Sequence, residues 1–457
     1  MSDLLGSLSV AARSLDAQAL GLQVTGDNIA NVNTPGFARR TVDFAEVPPD
    51  TLGGPGNGVD VVAIRAERDA FIEAQLRYEQ PTQAREQAIA DSLSRIQAAL
   101  GDPGSSLDAV LTQFYNAFGA LAQDPTSAVA RQQVVVQGQL LATTFHDVDF
   151  RLTSAQQDAD AQVRASVDQI NALGAQIASL NAKVSGAGGA ANESARDQLN
   201  QALRSLSQLI DIGVVMQADG SATVSVGNGR ALVVGSNAYQ LGVAPRAGTG
   251  FVDITAGGFV ITGEVTGGAL GGFLQVRDVL LTDYRSRLDD LAYGVATSVN
   301  AAHAAGYDLS GNPGGDFFVP PTAVAGAAQS LSVSAAIAAN PNLVAAASTP
   351  SPGDNGNARA IAALADAPLA GINASPVDAW AGLVYRVGTD AQVAAAERSM
   401  HDQVVQQLEK LRDQTSGVSL DEEGANLVKF QRAYEANARF FSAVQTSLDV
   451  LMQMVGT

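Results

Sequence analysis

The chain has 457 residues, enough for two or three domains, and 46% of them are hydrophobic, 16% charged and 5% aromatic. Its formal net charge of −19, from 27 basic against 46 acidic residues, argues against nonspecific binding to nucleic acid or an anionic membrane, because phosphates would be repelled. With no cysteine, disulfides, thiolate metal sites and a cysteine nucleophile are excluded together.

At the start, Asp3 stands where a secretory signal would carry basic residues, and the first basic residue is Arg13. No cleavable signal is therefore expected, and no run approaches the ~20 apolar residues of a membrane span. From Leu5 a heptad pattern begins. Leu8, Leu15, Leu22 and Ile29 recur every seven residues, as do Leu5, Ala12, Ala19 and Gly26 three positions earlier. Together they predict an a/d seam, bulky on one side and mostly small on the other, which a partner helix could approach closely. The pattern stops at ANVNTPGF, residues 30–37. Asn31, Thr34, Pro35, Gly36 and Phe37 shape a predicted turn, with Pro35 fixing φ and Gly36 supplying a positive φ.

Residues 66–211 read as a succession of helices, and a helical bundle domain is expected over 38–211, 274–305 and 391–418. Leu107, Val110, Leu111, Phe114, Phe118 and Leu121 give one apolar face. Val163, Ile170, Ile177 and Val184, with Leu173 and Leu180, run a heptad along another helix. SGAGGAAN, residues 185–192, breaks it, and Leu199, Leu203, Leu206 and Leu209 mark the next. Over 212–273, Gly-rich turns separate short Val-, Ile- and Thr-rich stretches, predicting one small antiparallel sheet. Helix returns from Leu274 to about Ala304, with Val279, Tyr284, Leu288, Leu291, Val295 and Val299 toward a core. In the loop that follows, Asp308, Ser310 and Asn312 alternate faintly like calcium ligands, but Pro313 and Val319 replace the glycine and glutamate that such a loop needs. A turn-rich loop covering the bundle is the better expectation. Residues 306–390 form an Ala-, Gly- and Pro-rich mixed segment, and a further helix is expected over 391–415.

The C-terminus mirrors the start, and residues 1–37 with 419–457 are expected to form one terminal module. Ser419 and Glu422 make a capping box, and Asp421, Glu422 and Glu423 place negative charge where the helix dipole favours it. Leu427, Tyr434, Phe441, Leu448 and Val455 then recur every seven residues, beside Phe430, Asn437, Val444 and Leu451. Asn437 is the polar exception, which can fix register at a cost in stability. Leu8, Leu15, Leu22 and Ile29 are expected to face Tyr434, Phe441 and Leu448. The fold class is thus mainly α with a smaller β part: terminal helices paired as a coiled coil, a long-helix bundle and a small antiparallel β region. Helices of about four heptads are marginal alone in water, so the ends are expected to fray in a free monomer and order on assembly.

SLSVAARSLDAQALGLQVTGDNIANVNTPGFARR resembles the common start of the flagellar rod, hook and hook-associated axial proteins. SGVSLDEEGANLVKFQRAYEANARFF resembles their common end. The middle segments LAQDPTSAVARQQVVVQGQLLATTFHDV, GGFLQVRDVLLTDYRSRLDDLAYGVATSVNAAHAAGYDLSGNPGGDFF and GDNGNA are similar to the hook-associated junction branch, whereas rod and hook proteins share only the ends. The resemblance covers nearly the whole chain, although members often carry large inserted outer domains for which little room exists here. It implies export through the flagellar type III channel to an extracellular site, without a cleaved signal. It also implies self-assembly into a ring of like subunits between hook protein and a second junction protein. A flagellar export chaperone would hold the C-terminal helix beforehand. Assembly contacts are then expected at Leu5, Leu8, Leu15, Leu22 and Ile29, and at Leu427, Phe430, Tyr434, Asn437, Phe441, Val444, Leu448 and Leu451.

No catalytic constellation stands out. His146, His303 and His401 are far apart, with no i, i+3 or i, i+4 pair. There is no GxSxG, no P-loop, and no glycine-rich loop opening a helix after a strand. Neither an enzyme, a cofactor nor a metal is expected. The competing readings are a hook or distal-rod axial protein and a secreted coiled-coil adhesin whose β-rich segment carries ligand contacts.

Overall fold

A computed structural model describes residues 2–34, 36–49, 56–100, 106–186 and 190–455. Helix α1 (Ser2–Ala30) leads into an antiparallel hairpin of β1 (Arg40–Glu46) and β2 (Val59–Ala66). Four helices follow: α2 (Ala70–Leu100), α3 (Leu107–Leu121), α4 (Ala128–Gly186) and α5 (Ala190–Leu209). One antiparallel sheet, in sequence order, contains β3 (Ile212–Met216), β4 (Ala222–Val226), β5 (Arg230–Val234) and β6 (Asn237–Ala238). A second contains β7 (Leu241–Pro245), β8 (Val252–Ala256) and β9 (Phe259–Val260). Then come α6 (Gly268–Gln275), a π turn over Val276–Leu280, and α7 (Leu281–Ala304). The short helices α8 (Ala327–Ser330), α9 (Ala335–Ala339) and α10 (Gly356–Ala362) precede two long ones, α11 (Pro376–Ser416) and α12 (Leu420–Val455).

The 59 residues of α4 extend about 90 Å at 1.5 Å per residue, and the helix serves two cores. Its first half buries Val134, Leu141, Phe145 and Leu152 in a core shared with α2, α3, α7 and α8. Its second half buries Val163, Ile170, Ile177 and Val184 against α5 and both sheets. A seven-residue apolar repeat can therefore sit in a mixed α/β core as well as in a coiled coil.

The sequence predicted one sheet over 212–273, and there are two. Asn171 of α4 donates to the Leu241 carbonyl at 2.9 Å and accepts the Leu241 N–H at 2.8 Å. At the point where the first ladder would continue, the backbone is bonded to a helix side chain instead. Asn181, one decade further along α4, holds Ala222 in the same two-bond way at 2.8 Å. The β1–β2 hairpin, inside a region expected to be helical, is a second difference; the alternation in VDVVAIRA was its signal. Third, α11 begins at Pro376 rather than at 391. Ser375 accepts the Asp378 N–H at 3.2 Å, and proline occupies the first turn, a start signal that SPVD carries.

Val279 was expected in the core but is 58% exposed, whereas Tyr284, Leu288, Leu291, Val295 and Val299 are buried. The π turn widens the helix between α6 and α7 and changes the phase of the residues within it. The same turn buries Arg277 completely. Its guanidinium reaches Asp160 of α4 at 2.6 Å, the Val252 carbonyl of β8 at 2.9 Å and Asp278 at 2.8 Å. Asp160 also accepts the Val252 N–H at 3.0 Å, so one charged cluster ties α4, the π turn and the second sheet.

The loop after α7 packs Phe317 and Phe318 on Phe114 at centroid distances of 5.7 and 5.6 Å. Its alternating polar residues form a self-capped turn: Asp308 accepts the N–H groups of Ser310 at 2.8 Å and Asn312 at 2.9 Å. In the GDNGNA loop, Asn355 donates to Ala122 at 2.6 Å and Asn357 to Ala345 at 2.7 Å. The buried His303 has Nδ1 2.6 Å from the Gly315 carbonyl, while Nε2 accepts the Ala345 N–H at 2.8 Å. This pair of bonds fixes a neutral ring with its proton on Nδ1. Burial lowers the His303 pKa below its ordinary 6.5, and Arg131 adds to this against the opposing pull of Gly315 and Asp316. In the interval below 6.5 the unfolded chain takes up a proton that the folded one refuses. Stability from His303 is therefore complete above pH 6.5 and is lost as the pH falls through and below it. Urea midpoints measured across that interval should fall with pH, and less steeply in His303→Gln; an unchanged slope would contradict the neutral buried ring.

Candidate assembly interface

The first and last helices pair antiparallel, as two contacts along their length establish. Near the end of α1, Asn28 Nδ2 donates to Glu423 Oε2 at 3.1 Å, at the beginning of α12. Two turns back, a Cβ on Gly21 would lie 2.8 Å from the Phe430 ring. The seam on α1 consists of the buried Ala17, Gly21, Val24 and Asn28, alternating by four and three as a coiled-coil face does. On α12 it follows one heptad position. Glu423 and Val444 are buried, and Phe430, Asn437 and Leu451 are half-buried.

Leu8, Leu15, Leu22 and Ile29 are only half-buried, and Leu5 is exposed. The folded seam thus lies one position round from the stripe of large residues. Gly21 is the physical reason: with no side chain, it lets Phe430 lie against the α1 backbone, and Phe430 also packs on Phe44 of the hairpin at 6.0 Å. On α12, Phe441 and Leu448 are half-buried, while Leu427 and Tyr434 face outward. Exposed beside them are Leu420, Val428, Phe440 and Val450. An apolar stripe therefore remains on the pair after the chain has folded.

The turn out of α1 is built as its sequence suggests wherever it is described. Asn31 Nδ2 donates to the Asp27 carbonyl at 2.9 Å, Thr34 Oγ1 donates to Asn31 Oδ1 at 3.0 Å, and the Phe37 N–H reaches the Thr34 carbonyl at 3.2 Å. Gly36 takes φ +81°, and the Arg40 guanidinium lies 4.8 Å from the Phe37 ring centroid. Pro35 lies outside the described residues.

Below this turn is a polar knot that the heptads did not reveal. Arg39 pairs with Glu423 at 2.7 Å and Glu422 at 3.0 Å, and its N–H bonds the Ser416 carbonyl at 2.9 Å. Asn28 closes two bonds with the Arg40 main chain, at 2.8 and 2.9 Å. Arg40 reaches Asp197 of α5 at 3.2 Å, and Arg68 holds Asp197 at 2.6 Å and Glu193 at 2.7 Å. Burial alone would lower the Arg68 pKa, but these two carboxylates outweigh it and raise it. Glu423, expected only as a complement to the helix dipole, is 1% exposed and ion-paired. Glu422 likewise spends its carboxylate on Arg39, and its N–H lies a long 3.5 Å from Ser419, so the capping box is only partly made. The signal available was charge complementarity between Arg39-Arg40 after the first helix and the acidic start of the last.

Among the described residues, no group of three or more histidine, aspartate or glutamate side chains is placed to hold a metal ion. No described helix is long and apolar enough to cross a membrane.

Residues 8–37 match the model for flagella basal body rod proteins, and 412–454 match that for the flagellar basal body rod FlgEFG protein C-terminal region. Residues 93–318 match the helical domain of flagellar hook-associated protein FlgK. The chain is 28% identical to flagellar hook-associated protein 1 of Escherichia coli, over 97% of this chain and 98% of that protein. It is also 28% identical to the Bacillus subtilis protein of the same name, over 98% of each. The chain belongs to the flagellar hook-associated protein 1 family. Its fold is that of the flagellar hook junction protein FlgK from Burkholderia pseudomallei, with a TM-score of 0.68 at 18% identity over 75% of this chain and all of that one. Within this hook-associated chain, the two basal-body matches fall on the paired terminal helices, and the FlgK helical-domain match falls on the body that α4 runs through.

Proposed function

We propose that the chain is a structural, non-enzymatic component of the flagellar axis that joins hook to filament and polymerises through its paired terminal helices. The observation that carries this reading is the apolar stripe left on the α1–α12 pair after folding, with Leu427 and Tyr434 outward and Leu8, Leu15, Leu22 and Ile29 half-covered. A folded pair with one apolar seam closed and another open is suited to lateral packing in a tube of like helices. Residues 1–37 and 419–457 would form the inner tube. The bundle over 38–211, 274–305 and 391–418, the β-rich part over 212–273 and the cover over 306–390 would stand outside it. Hook protein below and a second junction protein above would complete the stack. Deleting the gene should abolish motility while filament subunits are shed into the medium; normal motility with lost surface binding would instead favour an adhesin.

Before assembly, the same stripe invites premature association, which a cytoplasmic export chaperone on α12 would prevent. Phe441→Glu together with Leu448→Glu should weaken chaperone binding and assembly alike, because both half-buried side chains border the open stripe. Unchanged chaperone affinity in titration calorimetry would place the footprint elsewhere. The far ends of the pair should also exchange rapidly in dilute monomer, and strong hydrogen-exchange protection throughout 4–30 would contradict order gained on assembly.

A further inference from the structure

The terminal module, made of α1, the hairpin and α12, is joined to the body differently from the way either part is held together. The chain crosses between them twice, and at each crossing a helix ends. Asp69 caps the start of α2, accepting the N–H groups of Phe71 at 2.8 Å and Ile72 at 3.2 Å. Gly417 closes α11, where its N–H reaches the Asp413 carbonyl at 2.9 Å and a Cβ would strike that same oxygen. No apolar core of the described residues spans the joint. The two cores along α4, and the small one of Leu76, Val405 and Leu408 between α2 and α11, take no side chain from 2–69 or 417–455. A joint without a shared apolar core leaves its two parts free to turn about the element ends that connect them.

Charge takes the place of apolar contact. Asp197 of α5 spends each carboxylate oxygen on a different arginine: Oδ2 lies 3.2 Å from Arg40 of β1, and Oδ1 lies 2.6 Å from Arg68 at the first crossing. Arg68 also meets the Glu193 carboxylate at 2.7 Å and donates to the Glu193 carbonyl at 3.2 Å. All four side chains are largely buried, so these pairs are shielded from salt. Yet Nε of Arg40 is buried there without a hydrogen-bond partner, a cost that opening the seam to water would relieve. We infer that the terminal module is hinged on the body at its two crossings, and that Asp197 latches it at one angle. The use of such a latch rests on the axial reading above: once released, it lets the paired ends pack against neighbouring copies without straining either core of the body. The latch itself belongs to the single chain and is read there.

The absence of cysteine allows two labels to be placed without background. Gln431→Cys on α12 with Gln208→Cys on α5 spans the joint, whereas Gln208→Cys with Gln403→Cys on α11 lies within the body; all three positions are exposed. Nitroxides on each pair would report its distance by double electron–electron resonance in dilute monomer. The spanning pair should give one narrow distance. Asp197→Asn should raise the open population by about tenfold or more, seen as a broadened or second distance, because it removes the charge that Arg40 and Arg68 share. Arg40→Met, which leaves the bond between Arg68 and Asp197 in place, should act in the same direction and less strongly. The body pair should keep its distance in both variants. A spanning distance unchanged in both variants, or already broad before substitution, would overturn the latch and leave the axial reading standing. Equal broadening of the body pair would also overturn it, since the bonds would then hold α5 within the body rather than the module to it.

Discussion

Gly21→Leu should separate the terminal helices and abolish assembly while leaving the body folded. A Cβ at that position would fall 2.8 Å from two atoms of the Phe430 ring, and a leucine side chain extends well beyond its Cβ. Phe430 also packs on Phe44 of the hairpin, so moving its ring aside would give up that contact. Overpacking of this kind costs about 1–3 kcal/mol, a large share of what two marginal helices gain by pairing. The two cores along α4 lie elsewhere and should melt as before. Hydrogen exchange should rise selectively over 2–30 and 420–455, and incorporation into assemblies should be lost. Phe430→Ala should partly rescue the variant by making room, and a double-mutant cycle would read this as a coupling between the two sites. If Gly21→Leu assembled normally, the close approach at Gly21 would not be a feature of the working interface.

The second large effect is expected inside the body. Arg277→Ala removes the cation that Asp160, Asp278 and the Val252 carbonyl share. Breaking a buried pair from one side costs about 3–5 kcal/mol, because the remaining charge stays in a medium that solvates it poorly. Here Asp160 is left beside an apolar core, supported by Arg164 at 3.0 Å and the Val252 N–H. The loss should fall on the core that contains the sheets. Urea unfolding followed by circular dichroism should show an earlier first transition, and Asp160→Asn should shift it by less. A change below about 1 kcal/mol would mean that the cluster is better solvated than its burial implies.

Periodicity made the helical body and the terminal pair legible in the sequence, because a sustained apolar spacing has few ways to be buried. The register of the pair was not legible in the same way. Leu8, Leu15, Leu22 and Ile29 are the heavier stripe, yet the close approach allowed by one glycine turns the seam toward Ala17, Gly21, Val24 and Asn28. The pairing of Glu423 is hidden for a different reason: its partner Asn28 is 395 residues away, and local helix-start logic accounts for an acidic residue without any partner. The hairpin leaves a weak sequence signal because its strands bury little, with β1 exposed toward its end. Two sheets in place of one, and the outward turn of Val279, both follow from tertiary bonds. Asn171 captures the Leu241 backbone, and the π turn around Arg277 changes the helical phase. Neither leaves a periodic trace.

The central claim is that the two ends of this chain form its assembly core. The most direct test is the position of residues 4–30 and 421–455 in a structure of the assembled hook–filament junction. The account predicts that α1 and α12 stand together around the central channel, with Leu427 and Tyr434 buried against helices of neighbouring copies. Terminal helices on the outer surface, or Leu427 and Tyr434 still facing solvent in the assembly, would contradict it.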